Sequence, residues 1–169
     1  DHGEMNTLMQ QTRQARRDLR VQISSGLTKG SSQAALWHGH LYPQATVTMG
    51  LPCEIRDYTD FYVGIHHATS VGRLFRPDSP LLPNYKWVPI GYHGRASTVQ
   101  ASGHAFVRPC AQLKGPNDDV PQLAPTQRLD LELEIGIFIG QGNPTGEPIP
   151  ITRAEDHVFG LGLFNEIGR

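Results

Sequence analysis

From Leu129 to Ile139 every odd position is Leu or Ile, and Asp130, Glu132 and Glu134 take even positions between them. A period of two belongs to a strand, because successive side chains leave opposite faces of a pleated backbone. The pattern predicts a strand over 129–140 with its aliphatic face buried and three carboxylates together on the other face. Carboxylates two residues apart on a strand stand about 6.5–7 Å apart, near enough to converge on one cation. Like charges so placed repel. A hard divalent cation with oxygen ligands would offset that repulsion, and so would neighbouring arginines or open solvent. The plainer reading is an edge strand whose acidic face discourages aggregation, and spacing alone leaves both open.

Eighteen glycines and 13 prolines stand among 169 residues, well above the roughly 12% of ordinary usage. Such punctuation predicts short strands and turns rather than long helices. One amphipathic helix is expected from Asn6 to Ser24. Leu8, Ala15, Leu19 and Ile23 form its stripe, and Arg13, Arg16, Arg17 and Arg20 lie largely off it as a solvated face. Asn6 suits the N-cap and Gly26 the stop. Residues 25–40 read as a polar connector, and Thr46, Val47 and Thr48 as a short strand. A short helix is expected within 151–163, with Thr152 and Glu155 as a capping box. The apolar pattern of Phe159–Phe164 is followed by only five residues, which reads as a piece of a longer chain.

Composition excludes several classes of function. Fifteen Lys and Arg against 16 Asp and Glu give a net charge of −1. That balance offers no basic field for a nucleic-acid backbone and no polybasic membrane anchor. No apolar run approaches the 18 residues of a membrane span, and Asp1–Glu4 lacks the character of a secretory leader. Cys53 and Cys110 are too few for a disulfide framework and lack metal-ligand spacing. They read as reduced thiols of a cytoplasmic protein.

Two further segments carry chemistry. The run Asp57–Ser70 is dense in acids, aromatics and histidines, and a helix is expected to start near Asp57. On that helix Asp60 and His67, seven residues apart, share a face, with the small Gly64 between them leaving room for a ligand. The alternative is a capping aspartate and a packed core histidine. In Gly91-Tyr92-His93-Gly94-Arg95, the flanking glycines let the backbone bend and present two polar-tipped rings beside an arginine. A plain β-turn with surface Tyr and His explains the same residues. Nothing fits a phosphate loop or a dinucleotide fingerprint.

Several of these segments together resemble the fumarylacetoacetase family. They are Asp57-Tyr58-Thr59-Asp60-Phe61-Tyr62, His67-Ala68-Thr69, Leu82-Pro83-Asn84, Pro89–Ser97 and Leu129–Glu134, then Gly142-Asn143, Gly146–Ile151 and His157-Val158-Phe159-Gly160. They follow in order from about Asp57 to Asn165. The resemblance implies an α+β chain, mainly β with a few helices. Residues 53–169 would form the first part of a metal-dependent catalytic domain of β-sandwich or roll type, and 1–52 the end of the N-terminal region.

By position, the resemblance puts Asp60, Glu132 and Glu134 on the ligands of a divalent cation, Ca²⁺ or Mg²⁺, and His67 on the general base. Tyr62, Arg76 and Tyr92 fall on substrate contacts. Glu166 falls where the family has an aspartate as a further metal ligand. The implied reaction is hydrolysis of the carbon–carbon bond of 4-fumarylacetoacetate, the last step of tyrosine and phenylalanine breakdown, by a cytoplasmic homodimer acting on a small molecule. Another superfamily activity, such as acylpyruvate hydrolysis, and a non-catalytic remnant are the alternatives. The family's second catalytic carboxylate and its oxyanion-stabilising lysine and glutamine are expected beyond Arg169.

Overall fold

The computed structural model describes residues 3–168. The strands pair in three antiparallel two-stranded ribbons with helices between them, a mixed α+β architecture. The chain divides into two compact units, which are described separately. Glu54–Gln100 form one, and the residues up to Cys53 together with those from Ala101 onward form the other.

In the larger unit the expected first helix is two. Helix α1 spans Asn6–Met9 and α2 spans Arg13–Leu27. The N-cap of α2 is Thr12, whose hydroxyl accepts a hydrogen bond from the Ala15 amide at 3.2 Å, so Asn6 does not cap a single long helix. Gly26 is not the stop either. It is buried inside α2, where an added Cβ would collide with the indole of Trp37. Trp37 belongs to a short helix α3, Ala34–His38, inside the segment expected to be an irregular connector.

The arginine face of α2 is also not simply solvated. Arg16 donates to the Val158 carbonyl at 3.1 Å and the Asp156 carbonyl at 3.2 Å, and lies 5.5 Å over the Phe159 ring. Packing by arginine takes the place of the expected aliphatic stripe, since Leu19 is 36% and Ile23 38% exposed. Thr46 closes a 3-10 turn, Gln44–Thr46, entered through Pro43, where a strand was expected.

Strands β3 (Cys110–Leu113) and β4 (Gln122–Pro125) pair through Ala111 and Ala124. The predicted strand is β5, Asp130–Ile139, paired with β6, Val158–Gly168. Between them lie a 3-10 turn, Ile151–Arg153, and one helical turn, α5 (Ala154–His157). The Thr152 capping box does not form: no side chain caps this turn, and Glu155 pairs instead with Arg13 at 3.4 Å.

The burial of β5 is the reverse of the expectation. Leu131, Leu133, Ile135, Ile137 and Ile139 are 58–83% exposed, while Glu132, Glu134 and Phe138 are half-buried. Alternation dictates which residues share a face, but whether that face is covered depends on what packs there. Here cover comes from the ribbon itself. The Phe138 ring lies 3.5 Å from a Cβ position at Gly162, and Phe164 Cβ lies 3.5 Å from one at Gly136, so two aromatics lean over facing glycines on the acidic side. The few buried residues of this unit include Met9, Cys53 and Thr126. Burial, with the nearby Glu4 carboxylate adding to it, pushes the Cys53 thiol above its ordinary pKa.

The smaller unit holds β1 (Thr59–Phe61), α4 (Ile65–Phe75) and β2 (Gly91–His93). The helix expected from Asp57 therefore starts eight residues later, at Ile65, with Gly64 at the N-cap position. α4 buries Ala68 and Gly72, and an added Cβ at Gly72 would collide with the Pro80 carbonyl.

Candidate active site

Asp60 sits in the middle of β1, directly opposite Tyr92 on β2. Cross-strand partners share a face, so Asp60 and Tyr92 face one side of this ribbon while Thr59 and His93 face the other. The second pair is locked: Thr59 Oγ1 lies 2.8 Å from His93 Nδ1, and His93 Nε2 lies 3.5 Å from an Asp57 carboxylate oxygen. His93 is thus held on both nitrogens, a structural role the sequence did not single out. Gly91 lets the strands meet, because a Cβ there would strike the Asp60 carbonyl. Beyond Gly94, Arg95 adopts a left-handed backbone with φ 67°.

Asp60 and His67 do not share a helix face, as β1 ends at Phe61 and His67 lies in the first turn of α4. The residue that meets His67 is Tyr62. Its ring stands edge-on to the imidazole at 5.7 Å and edge-on to Tyr85 at 6.2 Å, forming a row of three rings. The Tyr62 amide donates to the Ile90 carbonyl at 2.7 Å, which extends the β1–β2 pairing and fixes the ring's position. Arg76 follows the end of α4 and donates to the Pro80 carbonyl at 3.3 Å. Tyr85 went unnoticed in the sequence. Its only signal is the Leu82-Pro83-Asn84 turn that delivers it.

In the larger unit Glu132 is directly opposite Glu166, and Glu134 lies two residues along the same face. Carboxylate oxygens of Glu134 and Glu166 come within 4.8 Å of one another, and both residues are half-buried. Two oxygens at that separation can bind one cation whose metal–oxygen distances are about 2.3–2.6 Å, and carboxylate donors are those that hard divalent ions prefer. The sheet thus gathers the three glutamates that the sequence proposed, Glu166 among them.

The model of the family described as fumarylacetoacetate (FAA) hydrolase, C-terminal, matches residues 59–169. The chain belongs to that family. Among curated relatives, the fumarylacetoacetase of Caenorhabditis elegans is 42% identical over 168 residues, covering 96% of this chain and 40% of the worm protein. That of Rattus norvegicus is 41% identical over 171 residues, 98% of this chain and 41% of its own. That of Homo sapiens is 48% identical over 124 residues, 73% and 30% respectively. The chain spans about two fifths of the length of the first two relatives. Among the described residues no helix is long and apolar enough to cross a membrane.

Proposed function

We propose that this protein hydrolyses the carbon–carbon bond of 4-fumarylacetoacetate to give fumarate and acetoacetate, using a divalent cation, Ca²⁺ or Mg²⁺. The observation that carries the reading is the half-buried face shared by Glu132, Glu134 and Glu166. Carboxylates gathered on one face repel one another, and a hard divalent cation bound among their oxygens offsets that repulsion. In this reading Asp60 joins them as a ligand. Bound by these residues, the cation would polarise the β-diketone oxygens of the substrate as a Lewis acid.

The chain's own residues do the rest. His67 takes a proton from the attacking water through whichever ring nitrogen faces it, and Tyr62 holds the imidazole at its edge while offering its hydroxyl to a substrate oxygen. Tyr92 offers a second hydroxyl. Arg76 exchanges its bond to the Pro80 carbonyl for a substrate carboxylate, a stronger charge-assisted partner. The same reading carries a cytoplasmic homodimer.

The test is the loss of β-diketone absorbance of fumarylacetoacetate, followed with and without chelator. Turnover that chelation abolishes and added Ca²⁺ or Mg²⁺ restores is the expected result. Turnover indifferent to chelation overturns the cation site, and turnover of an acylpyruvate in preference to fumarylacetoacetate overturns the substrate.

A further inference from the structure

The β5–β6 pairing is not regular to its end. The ladder runs unbroken from Glu132 opposite Glu166 to Phe138 opposite Gly160, yet the next pair is Ile139 with Val158. Phe159 has no partner across the ribbon and is the extra residue of a β-bulge. Pairing continues beyond it, where the Gly140 amide donates to the His157 carbonyl at 2.9 Å. Side chains alternate between faces, so one extra residue exchanges the two faces of everything that follows on its strand. Were the Ile139–Val158 pairing continued without the bulge, Glu166 would oppose Leu131 on the exposed aliphatic face, and Asn165 would oppose Glu132. The bulge therefore decides which face carries Glu166.

The register it gives is the one that charge opposes. Like charges directly across a pair are destabilising, and a slip of one residue would part Glu166 from Glu132. The rings of Phe138 and Phe164 over Gly162 and Gly136 favour the observed register. The bulge itself is gripped from outside the ribbon. Among the four arginines of α2, Arg16 is the half-buried one. Its guanidinium donates to the Asp156 and Val158 carbonyls, just before the bulged residue, and lies over the ring of Phe159 itself. Two bonds from one planar fork fix the spacing of those carbonyls as a point charge would not. On the other strand the main chain of α1 closes on the end of β5, since an added Cβ at Gly140 would strike the Met9 carbonyl. Both strands are thus anchored by α1 and α2 at the place where the register changes.

We propose that Arg16, by holding the Phe159 bulge, is the positioning residue that sets Glu166 on the face of Glu132 and Glu134. It acts through the backbone of β6. The consequence for cation binding rests on the proposed function, whereas the register does not.

The experiment reads register and affinity separately, in the full chain. Main-chain NMR contacts across the ribbon should join Glu132 to Glu166 in the unaltered protein. In Arg16→Ala they are expected to give way to contacts joining Leu131 to Glu166 and Glu132 to Asn165. Calorimetric titration of the same variant with Ca²⁺ and, separately, with Mg²⁺ is expected to show binding weaker by about tenfold or more, as a carboxylate leaves the ligand set. Arg16→Ala with Phe159 deleted separates register from folding. Without the extra residue Val158 and Gly160 become neighbours, and unbroken pairing by itself puts Glu166 opposite Glu132. That chain is expected to regain the Glu132–Glu166 contacts and to bind the cation within about threefold of the unaltered protein, a rescue that a merely structural arginine would not allow. Glu132–Glu166 contacts kept in Arg16→Ala, or lost without the slipped contacts replacing them, overturn the proposal. So does slipped pairing that persists once Phe159 is deleted. A register that slips and recovers while cation affinity ignores it would count against the cation site and not against the bulge.

Discussion

The β5–β6 ribbon and the Glu54–Gln100 unit put their chemistry in place by different means. On the ribbon, position follows from periodicity: Glu132 and Glu134 share a face because they are two apart, and Glu166 joins them through register. In the smaller unit no period operates. Asp60 belongs to a three-residue strand, His67 to a helix, Tyr62 to the link between them, and Tyr85 to a turn more than twenty residues on. What assembles them is contact: close strand approach at Gly91 and ring edges meeting at Tyr62. A repeating pattern therefore makes a good platform for like ligands, whereas a site with unlike roles needs residues that converge from separate elements.

That contrast can be tested at three strengths. The largest effect is expected where unlike roles converge. His67→Ala should lower turnover of fumarylacetoacetate by about 10²- to 10⁴-fold, the usual worth of a positioned general base. Near-normal rates in the absorbance assay would take the base away from this unit. A smaller effect is expected from packing. Gly72→Ala puts a methyl group against the Pro80 carbonyl, which as backbone cannot rotate away. Urea unfolding should show a loss of about 1–3 kcal/mol, typical of overpacking, and an unchanged midpoint would mean that contact is loose. The smallest effect is expected on the ribbon. Leu133 is 83% exposed, so Leu133→Ala should change stability by no more than about 0.5 kcal/mol. A loss of about 2–5 kcal/mol, as for a buried leucine, would show that the aliphatic face is covered in solution.

How much was legible in the sequence divides along the same line. The strand expected over 129–140 is observed as Asp130–Ile139, because eleven residues of strict alternation leave no other local structure. Its acidic face was legible for the same reason, though its cover was not, since cover depends on Phe138 and Phe164 leaning over glycines across the ribbon. The helix from Asp57 was misread because β1 is too short to show a period and Gly64 marks a boundary rather than a gap on a helix face. Glu155 fitted a capping box, but Arg13, 142 residues away in sequence, competes for it. Gly26 looked like punctuation and is a packing position against Trp37. The misses at the ribbon's cover, at Glu155 and at Gly26 turn on a partner elsewhere in the chain, which a local pattern cannot encode.

The glycines of close approach also set what the sequence is free to change over time. At Gly26 the obstacle is a side chain, so a larger residue there becomes acceptable once Trp37 shrinks, and the two positions can drift together as a pair. At Gly72 and Gly91 the obstacles are the main-chain carbonyls of Pro80 and Asp60, which no replacement at those positions removes. Gly26 is heritable with a companion. Gly72 and Gly91 have none to negotiate with, and the helix that carries His67 and the strand facing Asp60 are bound to them.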